Sequence, residues 1–146
     1  MTAREEKAQQ LFREGRNCAQ AVLTAYKDWM GLDEQTALTI SMGFGGGIGR
    51  SRSVCGAFSA MVMLAPCLAK AQNLDEDERK QVYAKVQEMK KAFEEANGSI
   101  ICADILKKPQ QAEDPQPEDR TEAYYRQRPC ARVIAHACRI LEELYE

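Results

Sequence analysis

Apolar residues fall at helical spacing along almost the whole of this chain, and the alternation of β-branched residues that marks a strand is nearly missing. Val82, Val86, Met89 and Phe93, at i, i+4, i+7 and i+11, make one apolar stripe in an otherwise charged segment. That periodicity confines the chain to an all-α architecture. Capping residues, glycines and prolines divide it into a multi-helix bundle of about six to seven helices. The first runs from Ala3 to Arg13. Asn17, with Gln20 three residues on, caps a second that extends to about Met30 and is ended by Gly31. Asp33 opens a third, which leads into a run from Gly43 to Gly49 too rich in glycine to continue as helix. Ser53 is expected to cap a fourth, mostly apolar helix to about Gln72, and Asp75 a fifth that stops at Asn97-Gly98. Ser99 then caps a short sixth through Leu106. Residues 107–128 hold three of the five prolines and read as a long polar connection with a helical turn after Pro117; Pro129, as a first helical residue, opens the last helix to Glu146.

The 146 residues suit a single helical domain, 1–146, whose folding removes roughly two thirds of the unfolded surface from water. Twenty Lys and Arg against 22 Asp and Glu leave a net charge of -2, with no basic excess to neutralise nucleic-acid phosphates. The N-terminus is charged from Arg4 onward and lacks the apolar core of a secretory signal, so a cytoplasmic location is expected. Ser53 to Ala69, the longest uncharged stretch, contains Pro66 and falls short of the ~20 residues that span a bilayer, so no membrane partner is expected.

Six cysteines are more than a reduced chain of this size needs for folding. On the expected helices Cys18, Cys55, Cys102 and Cys130 all fall at the first turn, and each heads an apolar stripe. In an up-and-down bundle the second, fourth and sixth helices present their N-termini at one end, and the long connection can return the last helix there. Cys67 lies about 18 Å along the helix from Cys55, and Cys138 about 12 Å from Cys130, so neither joins a compact group with the other four. Unpaired N–H groups and the helix dipole favour thiolate at such positions, which suits redox chemistry or metal ligation. The bland alternative is that cysteines here fill helix starts as small buried residues.

The glycine run can bring backbone N–H groups close to an anion or a cluster sulfide, which makes Gly45, Gly46, Gly47 and Gly49 candidate binding residues; a loop threading tightly between helices is the structural alternative. Neither a Walker pattern nor a GxGxxG fingerprint is present. Arg50 and Arg52 precede Cys55 and could lower its pKa or hold an anionic group, and a supporting role is assigned to Arg50 only. His136, the sole histidine, lies about 120° around the helix from Cys130 and reads as a surface or hydrogen-bonded residue. No serine stands in a G-x-S-x-G context, so a hydrolase is poorly supported.

Together these pieces resemble the C_GCAxxG_C_C family, taken to be redox-active and built on four cysteines. The resemblance covers nearly the whole chain and rests on Asn17-Cys18-Ala19-Gln20-Ala21-Val22-Leu23, on Gly43 to Arg50 followed by Cys55-Gly56-Ala57, on Gly98-Ser99 before Cys102, and on Cys130 with Val133 and Ala137. Cys18, Cys55, Cys102 and Cys130 match the family's four; Cys67 and Cys138 are extra, and Ala60 replaces the last glycine of the CGAxxG motif. A related domain in a multihaem type of bacterial cytochrome has been proposed to hold an iron-sulfur centre, which implies the same group here. The haem pattern C-x-x-C-H is missing.

The first expectation is therefore a small electron-transfer or redox-sensing protein whose four cysteines hold an iron-sulfur cluster, most simply 2Fe-2S, with Gly56 and the glycine run supplying backbone donors. The cysteine spacings of 37, 47 and 28 match no common ferredoxin run. A metal-free thiol-disulfide protein is second, a four-cysteine zinc site third and an interaction module fourth. A redox partner protein is implied, and the near-neutral charge is compatible with a homodimer.

Overall fold

The computed structural model describes residues 2–145. Its helices are α1 (Ala3–Arg13), α2 (Cys18–Ala25), α3 (Glu34–Ser41), α4 (Gly56–Leu68), α5 (Glu76–Asn97), α6 (Cys102–Leu106), α7 (Glu122–Gln127) and α8 (Cys130–Leu144). Among the described residues there is no strand, only an isolated antiparallel bridge between Val54 and Ile101. The all-α expectation holds. No described helix is long and apolar enough to cross a membrane.

α2 is the centre. Its Ala19, Ala21, Val22 and Leu23 are fully buried, and it packs against α1, α3, α4 and α8. α5 covers α4 and α8 with Met89 and Phe93, while its other faces stay charged and wet. The tightest crossing joins the starts of α2 and α4: a Cβ on Gly56 would stand 2.8 Å from the Phe44 carbonyl oxygen and 3.1 Å from the Ala19 nitrogen. Glycine is required there for the two backbones to meet, which sets Cys55 beside Cys18.

The caps on Asn17 and Asp75 form as the residues suggest, Asn17 with a full capping box. Several boundaries move. α2 stops at Ala25, because Tyr26 turns under α8 and donates its hydroxyl to the Cys138 carbonyl at 3.2 Å; a 3-10 turn, Lys27–Met30, then runs to Gly31. α4 begins at Gly56, three residues after Ser53, because residues 52–54, with Arg52 itself in the left-handed region (φ 59), are laid against the start of α6. There the Ser53 carbonyl accepts from the Cys102 N–H at 2.6 Å and the Arg52 carbonyl from Ala103 at 3.1 Å. α4 ends at Leu68, soon after Pro66, with Lys70 in the left-handed region (φ 54) closing the turn. Ser99 does not cap α6 directly; its hydroxyl accepts from the Ile101 N–H and donates to Asp104. Pro129 sits one residue outside α8, and the connection contains α7, capped by Thr121. Described helix ends at Leu144, and Glu146, the expected last residue of that helix, lies outside the described residues.

Gly56→Ala is expected to lower unfolding free energy by about 1–3 kcal/mol through overpacking. Gly43→Ala, where a Cβ meets nothing within 4 Å, serves as the control in the same urea titration.

Candidate functional site

Cys18, Cys102 and Cys130 are the first residues of α2, α6 and α8, and Cys55 occupies the N-cap of α4. All four line one cavity of about 60 Å³, together with Gly46, Gly47 and Gly56, against an apolar wall that includes Phe12 and Val133. All six cysteines are free thiols. Cys67 and Cys138 lie elsewhere: Cys67 donates to the Trp29 carbonyl at 3.6 Å, and Cys138 is wholly buried beneath Tyr26. His136 meets Asn97, Nδ1 to Oδ1 at 2.7 Å, and takes no part.

The glycine run reaches the cavity by winding the wrong way. Gly46, Gly47, Ile48, Gly49 and Arg50 all have φ between 58° and 67°, a left-handed turn that only a glycine-rich segment adopts cheaply. It presses Gly47 so close to α6 that a Cβ would fall 2.6 Å from the Cys102 Cβ. Gly45, Gly49 and Arg50 do not line the sulfur cavity. They border a larger cleft in front of it.

The residue that sequence reasoning passed over is Arg52. Its side chain is only 2% exposed, its Nε and Nη2 donate to the two carboxylate oxygens of Glu113 at 2.6 and 3.0 Å, and its Nη1 donates to Cys102 Sγ at 3.6 Å. Arg50 is tied to the same stretch, through Glu113 and the Asp114 carbonyl. The connection is thus strapped across the site. Arg128, paired with Glu118, and Tyr124 complete the wall, and Arg120 stacks over Phe12 and Tyr124 while donating to the Phe12 and Arg16 carbonyls. Nothing local separates Arg52 from Arg50 in the sequence, because the partner that buries it stands 61 residues away.

Helix ends do not govern these thiols as the sequence suggests. The Cys102 and Ala103 N–H groups are consumed by Ser53 and Arg52 carbonyls, and the Gln20 N–H by Asn17. Burial pushes Cys55 up to about 12 although the Ala57 and Phe58 N–H groups oppose it, and burial raises Cys102 against the pull of Arg52. Cys18 and Cys130 titrate as a pair: the interaction between the two sulfurs keeps the proton on Cys18, whose pKa rises well above the ordinary thiol value, and lowers Cys130, with Arg128, Arg120 and Arg52 adding to the effect. The pair thus releases one proton readily and the second only with difficulty. Among the described residues no group of three His, Cys, Asp or Glu is arranged to hold a single metal ion.

The family model described as "Putative redox-active protein (C_GCAxxG_C_C)" matches residues 16–144. The chain belongs to this family. No curated protein and no solved structure matches it. The match spans the four cavity cysteines, the glycine turn and the strap, while Phe12 of the cavity wall lies before it.

Two outcomes follow from the geometry. Arg52 holds Glu113 down to about 2, so the strap's contribution to stability is complete above the ordinary glutamate range and is lost as pH falls from there towards 2. Urea midpoints measured across that interval should fall in the parent protein and stay flatter in Glu113→Gln. For the thiols, iodoacetamide at pH 7 should modify Cys130 before Cys18, Cys55 and Cys102, and Cys18→Ala should slow that reaction several-fold, as the thiolate fraction falls while the remaining thiolate grows more nucleophilic, counted by peptide mass mapping.

Proposed function

We propose that this is a thiol redox protein in which Cys18 and Cys130 form the working couple. What supports the reading is their placement: the two sulfurs start separate helices and line the same cavity of about 60 Å³, and Cys130 is drawn towards thiolate by its interaction with Cys18 and by neighbouring arginines. In the oxidising direction the Cys130 thiolate attacks one sulfur of an external disulfide, whose S–S bond breaks and whose other sulfur leaves as thiolate. Cys18 then gives up its proton and attacks Cys130 in the mixed disulfide, expelling the second external thiolate. The protein gains one S–S bond, and two external thiols carry away two electrons and two protons. An external dithiol reverses the exchange.

A second reading is the iron-sulfur centre, favoured by four thiols on one cavity beside the buried cation of Arg52, whose charge would offset that of an anionic cluster. Cluster irons each take their own thiolates and so spread the ligands more widely than one ion does, which fits this donor set better than zinc. Cys18, Cys55, Cys102 and Cys130 would hold it, and it would supply one-electron transfer.

Anaerobic purification separates the two. The expected result is a colourless protein that loses two thiols to mild oxidant, with a Cys18–Cys130 disulfide in the peptide map that is abolished by Cys130→Ser and retained in Cys67→Ser and Cys138→Ser. Iron with matching sulfide and a visible absorption band lost in Cys55→Ser would instead establish the cluster.

A further inference from the structure

In front of the sulfur cavity lies a second, larger hollow of about 410 Å³, within the range of small-molecule sites. The two adjoin, sharing Asn17, Gly46, Arg52, Tyr124 and Arg128 in their linings. The side chains around this cleft are unbalanced in charge. Arg50, Arg52, Arg120 and Arg128 border it, and Glu118 is its single bordering carboxylate. Glu113 stands behind, occupied by Arg52 and Arg50, and its charge is the one that lets Arg52 be buried at all. One side of the cleft is formed by Gly43, Gly45, Gly46 and Gly49, whose lack of side chains leaves the space open.

We propose that this cleft binds a small disulfide carrying carboxylate groups, and that it is the route by which the oxidant reaches Cys130; the proposal rests on the dithiol reading above. The arginines select the anionic end. The sulfur cavity beyond, about 60 Å³, admits the S–S group and little else, which excludes a disulfide embedded in a folded partner from entering by this path. Planar guanidinium groups suit carboxylates by paired hydrogen bonds, and a low-dielectric wall concentrates their field on the mouth. The exchange is the one already written: Cys130 takes one half of the small disulfide, Cys18 displaces it, and two carboxylate-bearing thiols leave.

Three disulfides of nearly equal length test this, differing only in their ends: dithiodipropionate with two carboxylates, hydroxyethyl disulfide with none, and cystamine with two ammonium groups. Each rate of Cys18–Cys130 closure in the reduced full-length protein is divided by that disulfide's rate with free mercaptoethanol, which removes the effect of leaving-group pKa. The normalised rate is expected to be highest for the dianion, by about tenfold or more over the neutral compound, and lowest for the dication, with the spread shrinking as salt rises. Suberate, in which two methylenes replace the sulfurs, gives a readout free of redox chemistry. It should compete with dithiodipropionate, bind by calorimetry, and lose about tenfold in affinity in Arg120→Gln, with Arg50→Gln as the second variant if the first fails to fold. Equal normalised rates and no suberate binding would overturn the proposal and leave the dithiol reading standing. If no disulfide and no general thiol oxidant closes Cys18 to Cys130, the dithiol reading falls, and the disulfide falls with it as the cleft's ligand.

Discussion

A guanidinium withdrawn from water must be given back both its charge partner and its hydrogen bonds, or the fold will not hold it. Arg52 is the largest fully buried side chain of the protein, and Glu113 supplies both needs with two parallel bonds. Much else follows from that pair. Glu113 can reach Arg52 only if the connection after α6 crosses the open end of the bundle, and once it does, Lys108, Glu118 and Arg128 are drawn into the same network. A segment rich in proline and charge, with little apolar side chain to bury, becomes an ordered cover for the cysteine cavity. Its order comes from ion pairs at the rim, so the cover is polar where the core beneath is apolar.

Beneath that cover, desolvation competes with positive charge, and the balance differs from one sulfur to the next. Cys55 has helix N–H groups at hand and is still held as a thiol, because nothing ionic reaches it deeply enough to outweigh burial. Cys102 has Arg52 itself and is still raised, since desolvation by burial outweighs the pull of that guanidinium. Only Cys130 comes down, through its interaction with Cys18 and the arginines spread around it. The low dielectric that penalises an isolated charge also strengthens the interactions of a sulfur with a close partner and with nearby cations.

The helices, their central stripe residues and the convergence of the four cysteines were legible in the sequence, because each depends on local pattern: apolar spacing, caps, and the position of each sulfur relative to a cap. What was not legible depends on distance along the chain. Arg50 and Arg52 look alike at the level of sequence and both hold Glu113, yet only Arg52 is buried, a difference decided by the path of residues 52–54 against α6. The start of α4 moved for the same reason, since Ser53 could not cap a helix while its carbonyl served Cys102. The preference for thiolate at helix starts is outweighed by desolvation at Cys55, and at Cys102 tertiary carbonyls take the free N–H groups that an isolated helix would offer.

The left-handed turn joins these observations. A right-handed path through Gly46–Arg50 would carry the chain onward; the left-handed one folds it back, so that the Gly46 and Gly47 carbonyls accept from the Arg52 and Ser53 N–H groups at 3.1 and 2.8 Å. Those residues in turn accept from Ala103 and Cys102, forming a ladder from the glycine turn to the start of α6. Ile48 and Arg50 adopt left-handed φ without glycine's freedom, at roughly 1–2 kcal/mol each. For Arg50 the offset is visible in its bonds to Glu113 and the Asp114 carbonyl. The strain and the strap are therefore two sides of one arrangement: the turn places Arg50 and Arg52 where only the crossing connection can satisfy them, and the connection is ordered because they are there.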